Sequence, residues 1–430
     1  PFVPMIITKS TFLCVYLLAR AFSLAFVSKG ISHREAIALQ SSIQSRKVSK
    51  GGIEMNGWPK KVVITGVGSV SAVGIGSDSH FQKLLNGESG LVTMPSWADE
   101  YPARVGGLVD SSFDPGQWMD KKEAKRQARY THFGMAASKM AIEDAKLDID
   151  KVNGDNFGVI IGSGIGGVEF FEDNCNKFTA AGGKGPGLKK VSPFLIPALI
   201  SDTCSGIIAI SLKARGPNFG VVSACATGTH AIGTAMDFLQ RGEAEVMLAG
   251  GSEAAMTPLC FAGFASMKAM VTTFNDNPTK ASRPFDKDRA GFVMGEGCGV
   301  LLMETEEHAL ARGAEIYCEI VGYGATCDAH HITAPAPDGS GLGRAINMAM
   351  KRGNMTPENM KGGYINAHGT STPYNDKFET MAIKYALGKD AYNTYISSTK
   401  SMMGHTLGGA GGLEAVICAQ VLKANMIPPT

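Results

Sequence analysis

The stretch VVSACATGTHAIGTAMDFLQRG, residues 221–242, places Cys225 between a short β-branched run and a long segment of small and apolar residues. This order predicts a strand, a turn that carries the thiol, and a helix. A thiol in the first turn of a helix faces unpaired backbone N–H groups and the positive end of the helix dipole, which favour the nucleophilic thiolate. The same N–H groups could hold an oxyanion. On this stretch alone, a nucleophile and an inert buried cysteine are both open interpretations.

Outward from Cys225, strand-like runs alternate with helical stretches along most of the chain. This alternation predicts an α/β fold with parallel or mixed sheets covered by helices. The strand-like runs are 60–74, 157–164, 219–225, 245–251, 299–305, 314–325, 362–369 and 391–399, and helical stretches include 129–146, 229–241 and 341–352.

Residues 219–251 and 394–429 share a layout, which is a hint of an internal repeat. Each has a strand-like run, a polar turn with a reactive residue, a helix of small residues and a basic helix end. The layout predicts two related halves with a boundary near 305–315. We therefore assign 58–310 to an N-terminal half that carries the nucleophile and 311–430 to a C-terminal half.

Composition narrows the class of protein. The chain has 430 residues and 53 glycines, which suits a large α/β enzyme with many tight turns. A net charge of only +2 gives no global indication of nucleic-acid binding. The nine cysteines form no CxxC pair. We therefore expect free thiols in a reducing compartment, without a disulfide framework or a zinc site.

The first 57 residues differ from the rest and predict an unstructured targeting leader. An apolar run after Lys9 is interrupted by Arg20, and a Ser-rich basic segment follows; Glu35 is the only acid among the first fifty residues. This two-part composition resembles leaders of proteins sent to plastids, with the mitochondrion as the alternative. A membrane anchor is the competing interpretation, but the run is short, so we expect no stable span in the mature form.

Two histidines strengthen the interpretation of Cys225 as a nucleophile. His368 and His405 each follow a strand-like run, in turns rich in small residues. Open α/β sheets place their functional sites at such strand ends. Lys400 and Glu414 flank His405 and could form a buried ion pair that fixes its position.

Six motifs identify a resemblance when they are taken together. They are VVITGVGSVSAVG, GSGIGG, GPNFGVVSACATGTHAIG, ASRPFDKDRAGFVMGEG, NAHGTSTPYND and STKSMMGHTLGGAGGLEA. From about Lys61 onwards the chain resembles the elongating β-ketoacyl-acyl carrier protein synthases, types I and II, of the thiolase-like superfamily. The wording around Cys225 and the HGTST form are closer to type II.

The resemblance implies a fold, a reaction and roles for individual residues. The implied fold is a five-layer α-β-α-β-α sandwich, the working form is a homodimer, and no metal or redox cofactor is needed. The reaction is decarboxylative condensation of malonyl-acyl carrier protein with a Cys-bound acyl chain in fatty acid elongation, and acyl carrier protein is the partner. Cys225 would be the nucleophile, His368 and His405 the pair that supports decarboxylation, Lys400 a further site residue and Glu414 its partner. The substrate-binding positions implied are Thr370, Thr372, Ile165 and Leu195.

Two departures from the family pattern stand out. The family continues past IPPT into a segment with a GFGG-like loop that supplies an oxyanion N–H group, so we expect the C-terminal half to be incomplete and the activity impaired. Tyr374 is a bulky residue in the turn after His368, where relatives often have a smaller one.

Three other protein classes compete with this interpretation. GSGIGG after a strand matches the dinucleotide fingerprint, but no strand ending in an acid follows at the expected distance. A thiolase would need a second reactive cysteine, and Cys418 is predicted to lie in the middle of a helix. A non-catalytic member would be expected to lack Cys225.

A basic cluster predicts the docking surface for the carrier. Residues 121–129 include five cations and only one acid, Glu123. A solvated helix face is the simpler interpretation. The resemblance instead implies docking of an acidic acyl carrier protein here. The cluster consists of Lys121, Lys122, Lys125, Arg126 and Arg129.

Overall fold

The computed structural model describes the backbone of residues 5–8 and 11–17 and all of residues 59–430. Most of the predicted leader, 1–57, therefore lies outside the described residues. Within the leader, Met5–Thr8 and Thr11–Leu17 form paired strands; for its other residues the expected lack of structure stays a prediction. Its role in targeting stays a prediction.

A mixed sheet of nine strands forms the centre of the molecule. Its order is β12-β11-β1-β2-β10-β3-β9-β7-β6, and β4, β5 and β8 form a small second sheet. The strands are β1 Met5–Thr8, β2 Thr11–Leu17, β3 Val62–Ser71, β4 Leu91–Thr93, β5 Val105–Gly107, β6 Phe157–Gly162, β7 Val246–Glu253, β8 Met294–Gly295, β9 Gly297–Thr305, β10 Cys318–Thr326, β11 Tyr364–Asn366 and β12 Tyr395–Ser397.

Helices cover this sheet on both faces and fill its concave side. They are α1 Ser77–Leu85, α2 Lys121–Ala124, α3 Arg129–Asp144, α4 Val168–Ala180, α5 Lys184–Leu188, α6 Leu195–Leu199, α7 Thr203–Leu212, α8 Thr227–Gln240, α9 Pro258–Ser266, α10 Glu306–Ala311, α11 Ser340–Arg352, α12 Pro373–Leu387, α13 Lys400–Met403 and α14 Ala410–Ala424. Among the described residues, no helix combines the length and the apolar character needed to cross a membrane.

The packing confirms the expected five layers. Helices α3 and α7 pack outside the β3-β9-β7-β6 part of the sheet, where Phe133 and Ile208 are fully buried. Helices α11 and α12 pack outside the β10-to-β12 part, around Ile346 and Ile383. Helices α8 and α14 contact strands of both parts and form the middle layer. The curled sheet thus supplies two β layers between three helical layers.

Small residues allow α8 and α14 to approach each other closely, as the sequence predicts. A Cβ atom on Gly228 would lie 2.5 Å from the backbone nitrogen of Gly412, and one on Gly411 would lie 2.1 Å from the Thr229 hydroxyl. Neither position has room for a side chain. The contact brings the starts of the two helices together, and with them the turns that precede them.

One predicted strand, 219–225, is absent from the described residues. The residue before this segment, Asn218, makes an isolated bridge with Val159, and the segment itself pairs with no strand among the described residues. Val222 is 58% exposed, so its β-branched side chain does not pack in the sheet. Cys225 lies instead in a 3-10 turn, Ala224–Ala226, that runs directly into α8.

Candidate active site

Cys225 is presented by a strained turn at the start of α8. Ala224 has a φ of 51°, in the left-handed region that residues with a Cβ rarely adopt. The following thiol is only half-buried, so a substrate can reach it. Burial raises the pKa of the Cys225 thiol above its usual range, and the charge of Lys400 acts in the opposite direction. A thiolate here therefore depends on its neighbours.

His405 is the neighbour in direct contact with the thiol. Its Nε2 lies 3.0 Å from Cys225 Sγ. The backbone N–H of Leu407 donates to Nδ1 over 3.3 Å, which leaves the ring proton on Nε2. The backbone N–H of His405 donates to the Val293 carbonyl over 2.7 Å, beside β8. His405 follows α13 rather than a strand directly, and its Nε2–H is aimed at the space around the thiol.

His368 completes the group from the end of β11. Its ring is perpendicular to that of His405, with 5.1 Å between the ring centroids. Burial, reinforced by the charge of Lys400, lowers the pKa of both histidines well below the usual range. Both rings are therefore neutral at physiological pH and can donate a hydrogen bond without carrying a positive charge.

The predicted ion pair between Lys400 and Glu414 is present and buried. Lys400 begins α13 and is 1% exposed, while Glu414 lies in the first turns of α14. Burial raises the pKa of Glu414, and Lys400 opposes the shift. Removing either partner would leave an uncompensated buried charge. The pair therefore ties together the two helices on either side of His405.

The sulfur and ring nitrogens of Cys225, His368 and His405 lie within 4.8 Å of one another, close enough to hold a metal ion. Two features argue against such a role. A cation there would be repelled by Lys400, whose charge is felt at all three groups. In addition, the proton on His405 Nε2 occupies the position where a metal would bind. The arrangement suits hydrogen-bond donation better than coordination.

The predicted substrate-binding residues lie on turns around the cluster. Thr370 and Thr372 follow His368, and their hydroxyl oxygens are 2.9 Å apart. Ile165 is partly exposed on the turn after β6. Leu195 begins α6, whose Leu199 carbonyl accepts from the Gly167 N–H over 3.0 Å, so this helix packs on the same turn.

Two buried carboxylates near the site were missed by the sequence analysis. The Glu379 side chain accepts from the backbone N–H groups of His368 at 2.7 Å and Gly369 at 2.8 Å, and so holds the turn that carries His368. Glu253, at the end of β7, accepts hydrogen bonds from turns on both sides of the cysteine. Burial raises the pKa of each carboxyl to about 7. Glu253 stood out in the sequence only as an acid among small residues, and Glu379, close to Asp376 and Lys377, had no such signal.

The cations of the predicted docking cluster differ in whether they are paired with an acidic side chain. Lys121, Lys122 and Lys125 are exposed at α2. Arg126 pairs with Glu123 at 3.4 Å and lies over the Phe194 ring. Arg129 differs from the other cations, and its part in docking stays a prediction. Its guanidinium binds the buried Glu296 through two hydrogen bonds of 2.9 and 2.7 Å, so it is held as part of the structure.

A nucleophilic thiol beside two neutral imidazoles and a buried ion pair defines an enzyme that transfers and condenses acyl groups. The N-terminal domain of beta-ketoacyl synthases matches residues 59–309, and the C-terminal domain of the same family matches residues 317–430. The chain belongs to the beta-ketoacyl synthase family.

Individual relatives agree with this assignment. A 3-oxoacyl-[acyl-carrier-protein] synthase 2 from Synechocystis is 52% identical over 372 residues, covering 86% of this chain and 87% of the relative. One from Vibrio cholerae is 46% identical, with 86% and 88% covered. A beta-ketoacyl synthase structure from Burkholderia phymatum superposes with a TM-score of 0.78 at 32% identity, covering 86% and 88%. A ketosynthase solved in complex with its type II PKS acyl-carrier protein gives 0.79 at 31% identity, covering 86% and 88%.

Proposed function

We propose that the chain elongates fatty acyl groups by condensing malonyl-acyl carrier protein with an acyl chain bound to Cys225. The products are 3-oxoacyl-acyl carrier protein, CO2 and free carrier. The observation that carries the proposal is the 3.0 Å contact between Cys225 Sγ and His405 Nε2, with the His368 ring perpendicular at 5.1 Å. The names of the curated relatives support the same reaction.

The first half-reaction loads the acyl chain. The Cys225 thiolate attacks the thioester carbonyl, the new S–C bond forms, and the carrier thiol leaves with the proton that Cys225 gave up. Lys400 favours the thiolate against the effect of burial. The backbone N–H groups at the start of α8 face the oxyanion of the tetrahedral intermediate.

The second half-reaction uses the two histidines. Loss of CO2 breaks a carbon–carbon bond of the malonyl group and moves the electron pair toward the thioester oxygen, which becomes an enolate. The Nε2–H of His405, together with His368, stabilises the charge on this oxygen as it forms. The enolate carbon then attacks the acyl thioester, and Cys225 leaves as the thiolate. No electron is gained or lost, so the chemistry calls for no redox cofactor.

A thiolase-type enzyme acting on acyl-CoA is the second candidate, and one observation weighs against it. The reaction would need a second reactive thiol, and Cys418 lies fully buried in the middle of α14. The glycine-rich GSGIGG turn also has a use other than dinucleotide binding, since its N–H groups donate to Glu253.

We assign carrier docking to Lys121, Lys122, Lys125 and Arg126. All four cations are exposed on one short segment, and acyl carrier proteins are acidic, so opposite charges would meet there. A ketosynthase that superposes on this chain is itself described in complex with its acyl-carrier protein, which supports a carrier-docking surface in this fold.

We also propose that the working form is a homodimer. Five apolar side chains are exposed on α6, on α7 and in the segments that follow these helices up to the cysteine turn, and Ile210 is 77% exposed. They are Ile196, Ile200, Ile210, Phe219 and Val222. Patches of this kind mark interfaces in soluble proteins. Light scattering should give twice the mass of one chain, and Ile210→Asp should shift the protein toward the monomer; a monomeric wild-type protein would contradict the proposal.

Residues 1–57 are proposed to direct the protein to a plastid. The family match begins at residue 59, so this segment precedes the catalytic domains. Its basic, Ser-rich composition is the support. A fluorescent protein fused behind residues 1–57 should enter plastids, whereas import into mitochondria or retention in the cytosol would refute the assignment.

Product analysis tests the proposed reaction. The chain is incubated with hexanoyl-carrier and malonyl-carrier proteins, and the products are identified by mass spectrometry. We expect one 3-oxooctanoyl-carrier for each CO2 released. Turnover with acetyl-CoA alone would favour the thiolase alternative.

A further inference from the structure

Glu253 is a fully buried carboxylate that receives four hydrogen bonds and no ion pair among the described residues. Oε1 accepts from the Ser163 hydroxyl at 2.7 Å and the Ile165 N–H at 3.2 Å. Oε2 accepts from the N–H groups of Gly164 at 2.8 Å and Gly408 at 3.0 Å. One side chain therefore joins the turn at Ser163–Ile165, here called the pocket turn, to the turn at Leu407–Gly408, here called the histidine turn.

The two turns are packed directly on each other over this carboxylate. A Cβ atom on Gly408 would lie 2.3 Å from the Gly164 nitrogen and 2.7 Å from the Glu253 carboxylate. One on Gly164 would lie 2.7 Å from the same carboxylate and 3.5 Å from the Ala224 carbonyl. With no space for a side chain, the positions of the turns depend on their shared acceptor.

The histidine turn stores strain that needs such an anchor. Leu407 has a φ of 48°, and its N–H donates to His405 Nδ1. A non-glycine residue in this region persists only when its surroundings hold it. The next residue, Gly408, is held by Glu253. Release of Gly408 would let Leu407 relax, and its N–H would no longer fix the proton on His405 Nε2.

We propose that Glu253 is a positioning residue that locks the pocket turn to the histidine turn and thereby keeps the Nε2–H of His405 directed at Cys225. The inference rests on the proposed function for the role of each turn: the pocket turn lines the acyl chain through Ile165, and the histidine turn orients His405. Glu253 itself does not touch the reacting atoms.

Two substitutions at Glu253 separate the turns. A glutamine has one carbonyl oxygen and one NH2 group. The partners of Oε2 are both backbone N–H groups, which can only donate, so the carbonyl oxygen takes that side. The NH2 group then faces Ser163, whose hydroxyl can accept, and the Ile165 N–H, which cannot. Glu253→Gln therefore keeps the bonds to Gly408 and Gly164 but loses the bond to the Ile165 N–H, so it holds the histidine turn and loosens the pocket turn, whereas Glu253→Ala releases both.

The test compares two rates in the full chain. The rate at which iodoacetamide alkylates Cys225 shows whether the histidine turn still holds His405 in place. The rate at which Cys225 is loaded from hexanoyl-carrier shows whether the pocket turn still accepts the acyl chain. For Glu253→Gln we expect alkylation within about twofold of wild type and loading slower by about tenfold. For Glu253→Ala we expect both to fall by about tenfold or more. The inference is overturned if Glu253→Gln slows both rates equally, or if Glu253→Ala alkylates at the wild-type rate.

Ser163→Ala gives a milder test if Glu253→Ala fails to fold. It removes a donor on the pocket side only, so loading should slow by a few-fold while alkylation is unchanged. A matched control is Glu304→Ala, which removes another buried carboxylate. Glu304 lies on β9 and binds Thr65, His308 and Arg312. The substitution should lower the melting temperature but leave alkylation within about twofold. A wild-type chain that alkylates but does not load would count against the proposed function, while the alkylation rates would still decide the role of Glu253.

Discussion

The turn that carries Cys225 and the turn that follows His405 have nearly the same backbone in different surroundings. Each contains a left-handed residue, Ala224 with a φ of 51° and Leu407 with a φ of 48°. Each forms a three-residue 3-10 turn and continues into a helix of small residues, α8 or α14. The turn and helix of the layout that suggested an internal repeat are thus present in both halves, whereas the strand before the turn forms only in the second.

The surroundings of the two turns differ in burial and charge. Cys225 is half-buried, whereas His405 is 4% exposed and its turn is held by Glu253 and flanked by the Lys400–Glu414 pair. One turn leaves a nucleophile open to an arriving acyl group. The other holds a hydrogen-bond donor in place. The same backbone conformation therefore keeps Cys225 accessible in one half and holds His405 rigidly in the other.

The largest effect is expected from Cys225→Ser. A hydroxyl is a far poorer nucleophile than a thiolate at neutral pH, so condensation should fall by about a thousandfold or more. The melting temperature should stay within about 2 °C, because the change is nearly isosteric. Condensation is measured as 3-oxoacyl product formed. A rate near that of the wild type would show that Cys225 is not the nucleophile.

The roles of the two histidines are tested by His405→Ala and His368→Ala. Each should slow decarboxylation of malonyl-carrier by about a hundredfold or more, because each removes a donor to the enolate oxygen. Loading of Cys225 from hexanoyl-carrier should be affected less. If either variant decarboxylated normally but failed to load, the roles assigned to the two turns would have to be exchanged.

Alkylation of Cys225 and decarboxylation of malonyl-carrier should respond differently to pH, because burial raises the pKa of the thiol and lowers the pKa of the two histidines. Burial raises the pKa of Cys225 above its usual 9.0, so alkylation should rise about tenfold per pH unit from pH 7 to 9 as thiolate forms. Burial lowers the pKa of both histidines well below 6.5, so they stay neutral and decarboxylation should be flat between pH 8 and 6.5. A decline in decarboxylation on acidification toward pH 6.5 would mean that a histidine gains its proton there.

The close contact between α8 and α14 can be tested by adding a methyl group to it. Gly228→Ala forces a Cβ to within 2.5 Å of the Gly412 nitrogen, so it should lower the free energy of unfolding by about 1–3 kcal/mol. The control is Gly263→Ala in α9, where a Cβ meets nothing within 4 Å and the change should be neutral or slightly stabilising. Both are read from thermal melts. Equal melting temperatures would show that the close helix contact is not needed.

The smallest effect concerns the proposed docking surface. Lys125→Glu combined with Arg126→Glu should raise the KM for carrier-bound substrates by about three- to tenfold, more at low salt than at high salt. Turnover of a small pantetheine thioester, which needs no docking surface, should hardly change. Equal losses on both substrates would assign these residues to the fold, and no loss on either would leave them as an ordinary charged face.

The sequence predicted the reacting side chains better than the residues that hold them in place. Cys225, His368 and His405 were found because reactive residues stood in turns among small residues, and Lys400–Glu414 was found because opposite charges flanked His405. Glu253 and Glu379 were missed because nothing local shows which donors a carboxylate will meet. The ion pair of Arg129 was not foreseen for the same reason, since its partner Glu296 is far away in sequence. The prediction of a strand at 219–225 was wrong because a β-branched run alone does not reveal whether the segment will pair with a neighbouring strand.

Mass spectrometry of the acyl-enzyme tests the central claim most directly. The full chain is loaded with hexanoyl-carrier, the adduct is located by peptide mapping, and malonyl-carrier is then added. The account predicts one hexanoyl group on Cys225, which disappears as 3-oxooctanoyl-carrier forms in equal amount. An adduct on another residue, or an adduct on Cys225 that persists while the product accumulates, would contradict it.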